Sequence, residues 1–203
     1  MALTTQAVLS ELDSTLARTS ESWRSTALRQ IVDLFLSGAR SYTGPQIALF
    51  DAVIGKLMTG ADRLALAELS ERLAPVPSAP PAVLVSLAGH PDVAVCGPVL
   101  AQAALPDKEL AEIADRERAD QNVLAGIAAR RELSETVTDA LLKRGGSAVQ
   151  RAVIDDPSAR ISEAGFARLI MGLGGNKELA QAVAARNDVP AELRLWLADV
   201  LNA

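Results

Sequence analysis

Leu105-Pro106-Asp107, Leu133-Ser134-Glu135, Ile161-Ser162-Glu163 and Val189-Pro190-Ala191 recur at intervals of 28 residues. Each is an aliphatic residue, then Pro or Ser, then an acid or Ala, with Glu192 supplying the acid one step late in the last copy. That is the chemistry of a helix start. An aliphatic residue suits the position before the cap, and Ser suits the cap. Pro suits the first helical position, and an early carboxylate complements the helix dipole. Four such starts in one register predict a helical repeat array.

Working outward, each unit reads as two short helices. First helices are expected near 81, 106, 134, 162 and 190, and second helices near 92, 120, 147 and 176. Ala88-Gly89-His90-Pro91, Arg144-Gly145-Gly146-Ser147 and Gly172-Leu173-Gly174-Gly175-Asn176 mark the turns, since glycine tolerates the conformations that end helices. Ser147 with Gln150 has the spacing of a capping box. Val99, Ile127, Val153 and Val183 are expected to face inward from the second helices. A unit this small buries its apolar face only against neighbouring units, and end units need caps.

Upstream, four helices are expected. The first spans about Thr4 to Arg18, and the second is capped by Ser20 and carries Trp23, Leu28, Ile31 and Phe35 inward. The third has Pro45 at its first position, and the fourth runs from about Ala61 to Leu73. Ala74 to Pro81 holds four prolines and cannot continue a helix. The expected organisation is an N-terminal helical cap over 1–74, a Pro-rich linker over 75–81 and helical repeats over 82–203. The fold class is all-α, a helical cap followed by a right-handed α-solenoid.

Composition agrees and narrows function. Half the residues are apolar, mainly Ala and Leu, and only 3% are aromatic, which favours helix over sheet. The net charge is −5, so the chain lacks the surplus of cations that non-specific phosphate binding needs. The lone Cys96 excludes a disulfide within the chain. The first eighteen residues carry Glu11 and Asp13 and no apolar core segment, so no signal peptide is expected. No run of 18 apolar residues predicts a membrane span, and a cytoplasmic protein is the expectation.

Several segments together resemble the domain of unknown function 2336 family, a bacterial family found mainly in alphaproteobacteria. They are Trp23-Arg24 with Gln30 to Leu36, Gln46 to Asp51, Val93-Ala94 with Pro98-Val99-Leu100, Val137 to Leu141, and Arg186-Asn187-Asp188-Val189-Pro190. The resemblance implies HEAT-like helical repeats of about 28 residues and a bacterial setting. It implies no reaction.

Few residues invite chemistry. His90 is the single histidine and lies in a turn, which reads as an exposed turn residue because no second ligand is near. Cys96, among Val, Ala and Gly, reads as a small core residue. Gly172 to Lys177 lacks the spacing of a phosphate loop and coincides with the repeat's own turn. Pro98 inside a second helix bends it, and so shapes a groove or sets curvature. Arg130 and Arg186 close their second helices and, with Arg160, form a candidate edge for an acidic partner or anion. The structural alternative is helix capping with salt bridges to Glu132, Asp156 and Asp188. The last helix carries Leu193, Trp196, Leu197 and Val200, a candidate face for homo-oligomerisation.

The leading expectation is a non-enzymatic interaction module, with no cofactor and no metal, presenting a groove to an unknown protein or peptide. The alternatives are a small-molecule or anion sensor and a HEAT-like protein acting on nucleic acid. The acidic charge argues against the last.

Overall fold

The computed structural model describes residues 19–117, 119–173 and 176–202. The side chains of Asp199, Val200 and Asn202 are not described. The expected helix over Thr4 to Arg18 lies outside the described residues, as do Gly174 and Gly175. Among the described residues there are twelve α-helices and no strand. The chain divides into two compact units at Leu105/Pro106.

The first unit contains α1 (Glu21–Gly38), α2 (Gly44–Met58), α3 (Arg63–Leu73), α4 (Pro81–Ala88) and α5 (Val93–Gln102). The helix starts follow the cap chemistry. Ser20 accepts from the Trp23 amide at 3.2 Å, and Asp62 accepts from Ala65 at 2.8 Å. Gln46 reaches back to the Thr43 amide at 2.8 Å, with Pro45 in the first turn of α2. Gly60, after α2, has φ +83°, a conformation that suits glycine. Helices contact their next-but-one neighbours, α1 with α3, α3 with α5, and α2 with α4. Phe35, Tyr42 and Phe50 make an aromatic cluster with centroids 5.0–5.9 Å apart.

The Pro-rich stretch lies inside this unit and is an ordered double turn. Val76 and Ala79 donate to Leu73 and Val76 carbonyls, and the Ser78 hydroxyl donates to the Ala39 carbonyl at 2.8 Å. Ala79 and Pro80 are buried. Pro80 and Pro81 give α4 no side-chain cap of its own, and Asp51 of α2 supplies one. Its carboxylate accepts from the Ala82 and Val83 amides at 3.1 and 2.9 Å.

The second unit contains α6 (Asp107–Ala114), α7 (Gln121–Ala128), α8 (Glu135–Arg144), α9 (Ser147–Asp155), α10 (Glu163–Gly172), α11 (Lys177–Ala184) and α12 (Ala191–Asn202). The first-helix starts at 107, 135, 163 and 191 keep the 28-residue register. Two rows result. One runs α6–α8–α10–α12 and the other α7–α9–α11, each helix contacting the next in its row. The equivalent Ile113, Leu141, Leu169 and Leu197 are buried at 1%, 0%, 2% and 2% exposure, which shows that one register position feeds one core. Val99 in the first unit, and Ile127, Val153 and Val183 in the second, are buried as expected.

One expected cap differs. Ser147 is the first helical residue, Gly146 is the cap, and no Ser147–Gln150 box forms. The Gly146 amide donates to the Gln121 side chain of α7 at 2.9 Å, and the Gln150 amide donates to the Gly146 carbonyl at 3.0 Å, so the start of α9 is tied to a neighbouring helix.

Candidate functional site

The candidate arginine edge lies where α7 and α11 turn into α8 and α12. Arg186 follows α11, which ends at Ala184, yet its side chain does not cap α11. It crosses to α9 in the same row. Nη1 donates to the carbonyls of Ile154 and Asp156 at 3.0 and 2.8 Å, with Val153 at 3.5 Å. Nη2 donates to Ala159 at 2.7 Å, and Nε and Nη2 hold the Asp188 carboxylate at 2.8 and 2.7 Å. A guanidinium has five N–H donors. All five are used within the chain, the side chain is 7% exposed, and it lies 5.9 Å from the Phe166 ring centroid. The Arg186 hydrogen bond is the main reason that the Asp188 carboxyl sits below its ordinary value. Asp156 meets Arg186 through its backbone carbonyl, not through its carboxylate.

Arg160 takes a different place. In the 28-residue register it occupies the position of Glu132 and Asp188, while Ser158 holds the position of Arg130 and Arg186. Its backbone is pinned to α8, with the amide donating to Leu133 at 2.9 Å and the carbonyl accepting from Thr138 at 2.6 Å. Its side chain is exposed. Arg130 is half-buried, and burial lowers its pKa while Asp107 raises it. Glu132, beside it, has φ +58°, and its amide donates to Ser158 at 3.0 Å. Nothing in the sequence around Glu132 signals this left-handed turn, because Gly or Asn is the usual marker.

Two open grooves run along this edge of the second row. One, of about 510 Å³, lies between α9 and α11, with Ile154, Ala182 and Ala185 in its lining and Arg151, Asp155, Arg186 and Asp188 at its walls. The other, of about 400 Å³, lies between α7 and α9, with Ala128, Ala129 and Ala152 in its lining and Arg130, Arg131 and Asp156 at its walls. They share Asp155 and Pro157. Arg151 pairs with Asp155 at 2.7 Å, one turn along α9. The walls therefore alternate in sign, and much of their charge is matched locally.

Elsewhere, Pro98 lies inside α5 between the buried Cys96 and Val99 and lines neither groove. Cys96 is buried, at 1% exposure. His90 is half-buried, and its Nδ1 accepts from the Asp92 amide at 3.1 Å, a short-range turn contact. Asn176 caps α11 by accepting from Leu179 at 3.1 Å. On α12, Leu197 is buried, Leu193 half-buried and Trp196 53% exposed, while the Val200 side chain lies outside the described residues. Leu195, which the sequence reading did not single out, is 75% exposed. Among the described residues no helix is long and apolar enough to cross a membrane.

The second unit thus carries two rows of helices, with two alanine-bearing grooves along the edge of its second row. Residues 95–203 match the family model described as an uncharacterised protein conserved in bacteria (DUF2336), and the chain belongs to that family. The match begins inside α5, so the Trp23 and Gln46 segments lie ahead of it. No curated protein and no solved structure matches the chain.

Proposed function

We propose that residues 106–203 are an α-solenoid of short HEAT-like hairpins, and that the chain is a non-enzymatic, cytoplasmic interaction module. Its partner is a protein or peptide segment laid along the second-row edge. The carrying observation is the pair of consecutive grooves sharing Asp155 and Pro157. Alanines stand in both linings, so backbone-sized ligand groups reach the helices closely there. Their walls alternate Arg and Asp, which suits a segment of mixed charge better than a uniformly anionic one. The 28-residue register and the next-but-one helix contacts support the solenoid reading. The anion-sensor reading loses ground at Arg186, whose donors are all occupied within the chain.

The test is affinity capture of the tagged chain from nuclease-treated bacterial extract, beside Ala152→Arg and Ala182→Arg. Both alanines are half-exposed on helices, so Arg fills each groove while preserving helix propensity. A stoichiometric protein held by the native chain and lost from both variants is the expected result. A partner held equally by all three chains, or no partner, would refute the reading.

A further inference from the structure

The two second-row grooves are walled by charge, and most of that charge is spent inside the chain. Arg151 holds Asp155 at 2.7 Å. Arg186 holds Asp188 at 2.7 Å and spends its remaining donors on main-chain carbonyls. The Asp156 carboxylate accepts the Ser158 amide at 2.9 Å and the Ser158 hydroxyl at 2.7 Å. Arg130 is half-buried. Arg131 differs. It is exposed in the wall of the groove between α7 and α9, and its guanidinium makes no ion pair or hydrogen bond among the described residues.

Asn187 is its counterpart in the groove between α9 and α11, two 28-residue steps along at the same register position. Asn187 is exposed, and its side-chain amide makes no hydrogen bond among the described residues. Its main-chain carbonyl is fixed by Arg194 at 2.9 Å. Ala159 holds the same position in the repeat between them and is 1% exposed, so the line from Arg131 to Asn187 meets no long side chain there.

The two free groups ask for different partners. A guanidinium fork takes a carboxylate bidentately. A carboxamide offers a donor beside an acceptor, which matches the N–H and C=O of a peptide unit. A helix has spent those groups on its own ladder, whereas an extended segment presents them. Packed helices lie about 8–10 Å apart, so two steps along the row cover about 16–20 Å. An extended chain spans that in about five or six residues. We infer, on the groove reading above, that the partner segment runs extended across both grooves, with an Asp or Glu on Arg131 and a main-chain peptide unit on Asn187. Asp155, Asp156 and Asp188 on the same walls repel further acids, so the feature recognised is one carboxylate and not an acidic run.

The test is selection of displayed random linear peptides on the purified full chain. Binding of the selected peptides is then measured to the native chain, Arg131→Glu, Asn187→Ala, Ala152→Arg and Ala182→Arg. The peptides are expected to share one Asp or Glu and to bind Arg131→Glu about tenfold more weakly or worse. Replacing that acid by Lys restores binding to Arg131→Glu. Asn187→Ala weakens binding about fivefold, the size of one hydrogen bond. Both residues are exposed, and far-UV melting of each variant checks that the fold is kept. Peptides blocked by the two groove-filling variants, yet sharing no acid or binding Arg131→Glu as well as the native chain, overturn this assignment and leave the groove reading standing. Peptides indifferent to the groove-filling variants overturn both. A chain that retains no peptide overturns the extended-segment assignment.

Discussion

Ser134 and Ser162 occupy one register position but have different surroundings. The Ser162 hydroxyl accepts from the Gly165 amide at 2.9 Å and donates to Asp139 on the preceding first-row helix at 2.7 Å. The Asp139 equivalent for Ser134 is Ala111, whose side chain accepts nothing, and the buried Ser134 hydroxyl has no partner among the described residues. The other two copies use Pro at this position, and Ser134 already has φ −74°. Ser134→Pro should therefore stabilise by about 0.5–1 kcal/mol through the unfolded chain. Ser162→Pro should destabilise by about 1–2 kcal/mol through the lost cap and the stranded Asp139. Urea titrations of the two variants read opposite signs if register and neighbours are as described. Arg186 is the other decisive residue. Arg186→Leu strands four carbonyls and Asp188, and a loss of about 3 kcal/mol is expected in the same assay. Arg186→Lys should recover little, because an ammonium cannot span the fork that five donors fill. The sequence marked Arg186 as a helix-closing cation. That it closes α9 and not its own α11 depends on how the second row stacks, which no local pattern encodes.

At the scale of elements, the helix starts were legible because their chemistry is local. Ser20 and Pro45 lie where the sequence places a cap and a first turn, and the four 28-residue starts keep their register, with Pro106 at the cap and not at the first helical position. Where a cap comes from another helix, local reading fails. Gln121 of α7 takes the Gly146 amide at the start of α9, and Asp51 caps α4 from α2. Asp51→Ala should cost about 1–2 kcal/mol, measured by thermal melting, although no motif surrounds Asp51. Gly165 shows a comparable dependence on packing. A Cβ there would come within 2.8 Å of the Asp139 carboxylate and 2.9 Å of Ile161. Gly165→Ala should therefore lower the melting midpoint despite alanine's better helix propensity, because α10 packs against α8 at this point.

At the scale of the molecule, depressed carboxyl groups set the acid limit. Asp62 and Asp92 in the first unit, and Asp115 and Asp188 in the second, all sit below the ordinary Asp range. The largest causes are hydrogen bonds from Ser25 to Asp62, Arg63 to Asp92, Lys143 to Asp115 and Arg186 to Asp188. A lowered folded value means that the carboxylates stabilise fully above their unfolded value, about 3.9. That stabilisation is lost as pH falls below it and through the folded values. Melting midpoints should hold steady from neutral pH to about 4 and then fall. Asp188→Asn should be destabilised at neutral pH and show a shallower acid decline, which a pH series by calorimetry would read. By itself the sequence determined the helical class, the 28-residue register and many core positions, because capping and apolar periodicity act within a few residues of chain. It did not place Trp23, expected inward and 44% exposed. The tertiary structure alone decided which side chains remain available to a partner. It consumed Arg186 in the second row, left Arg131 and Asn187 exposed, opened the alanine-lined grooves and set the division of units at Leu105. Each of these depends on contacts between residues on different helices, whose distances are set by helix stacking and not by sequence spacing.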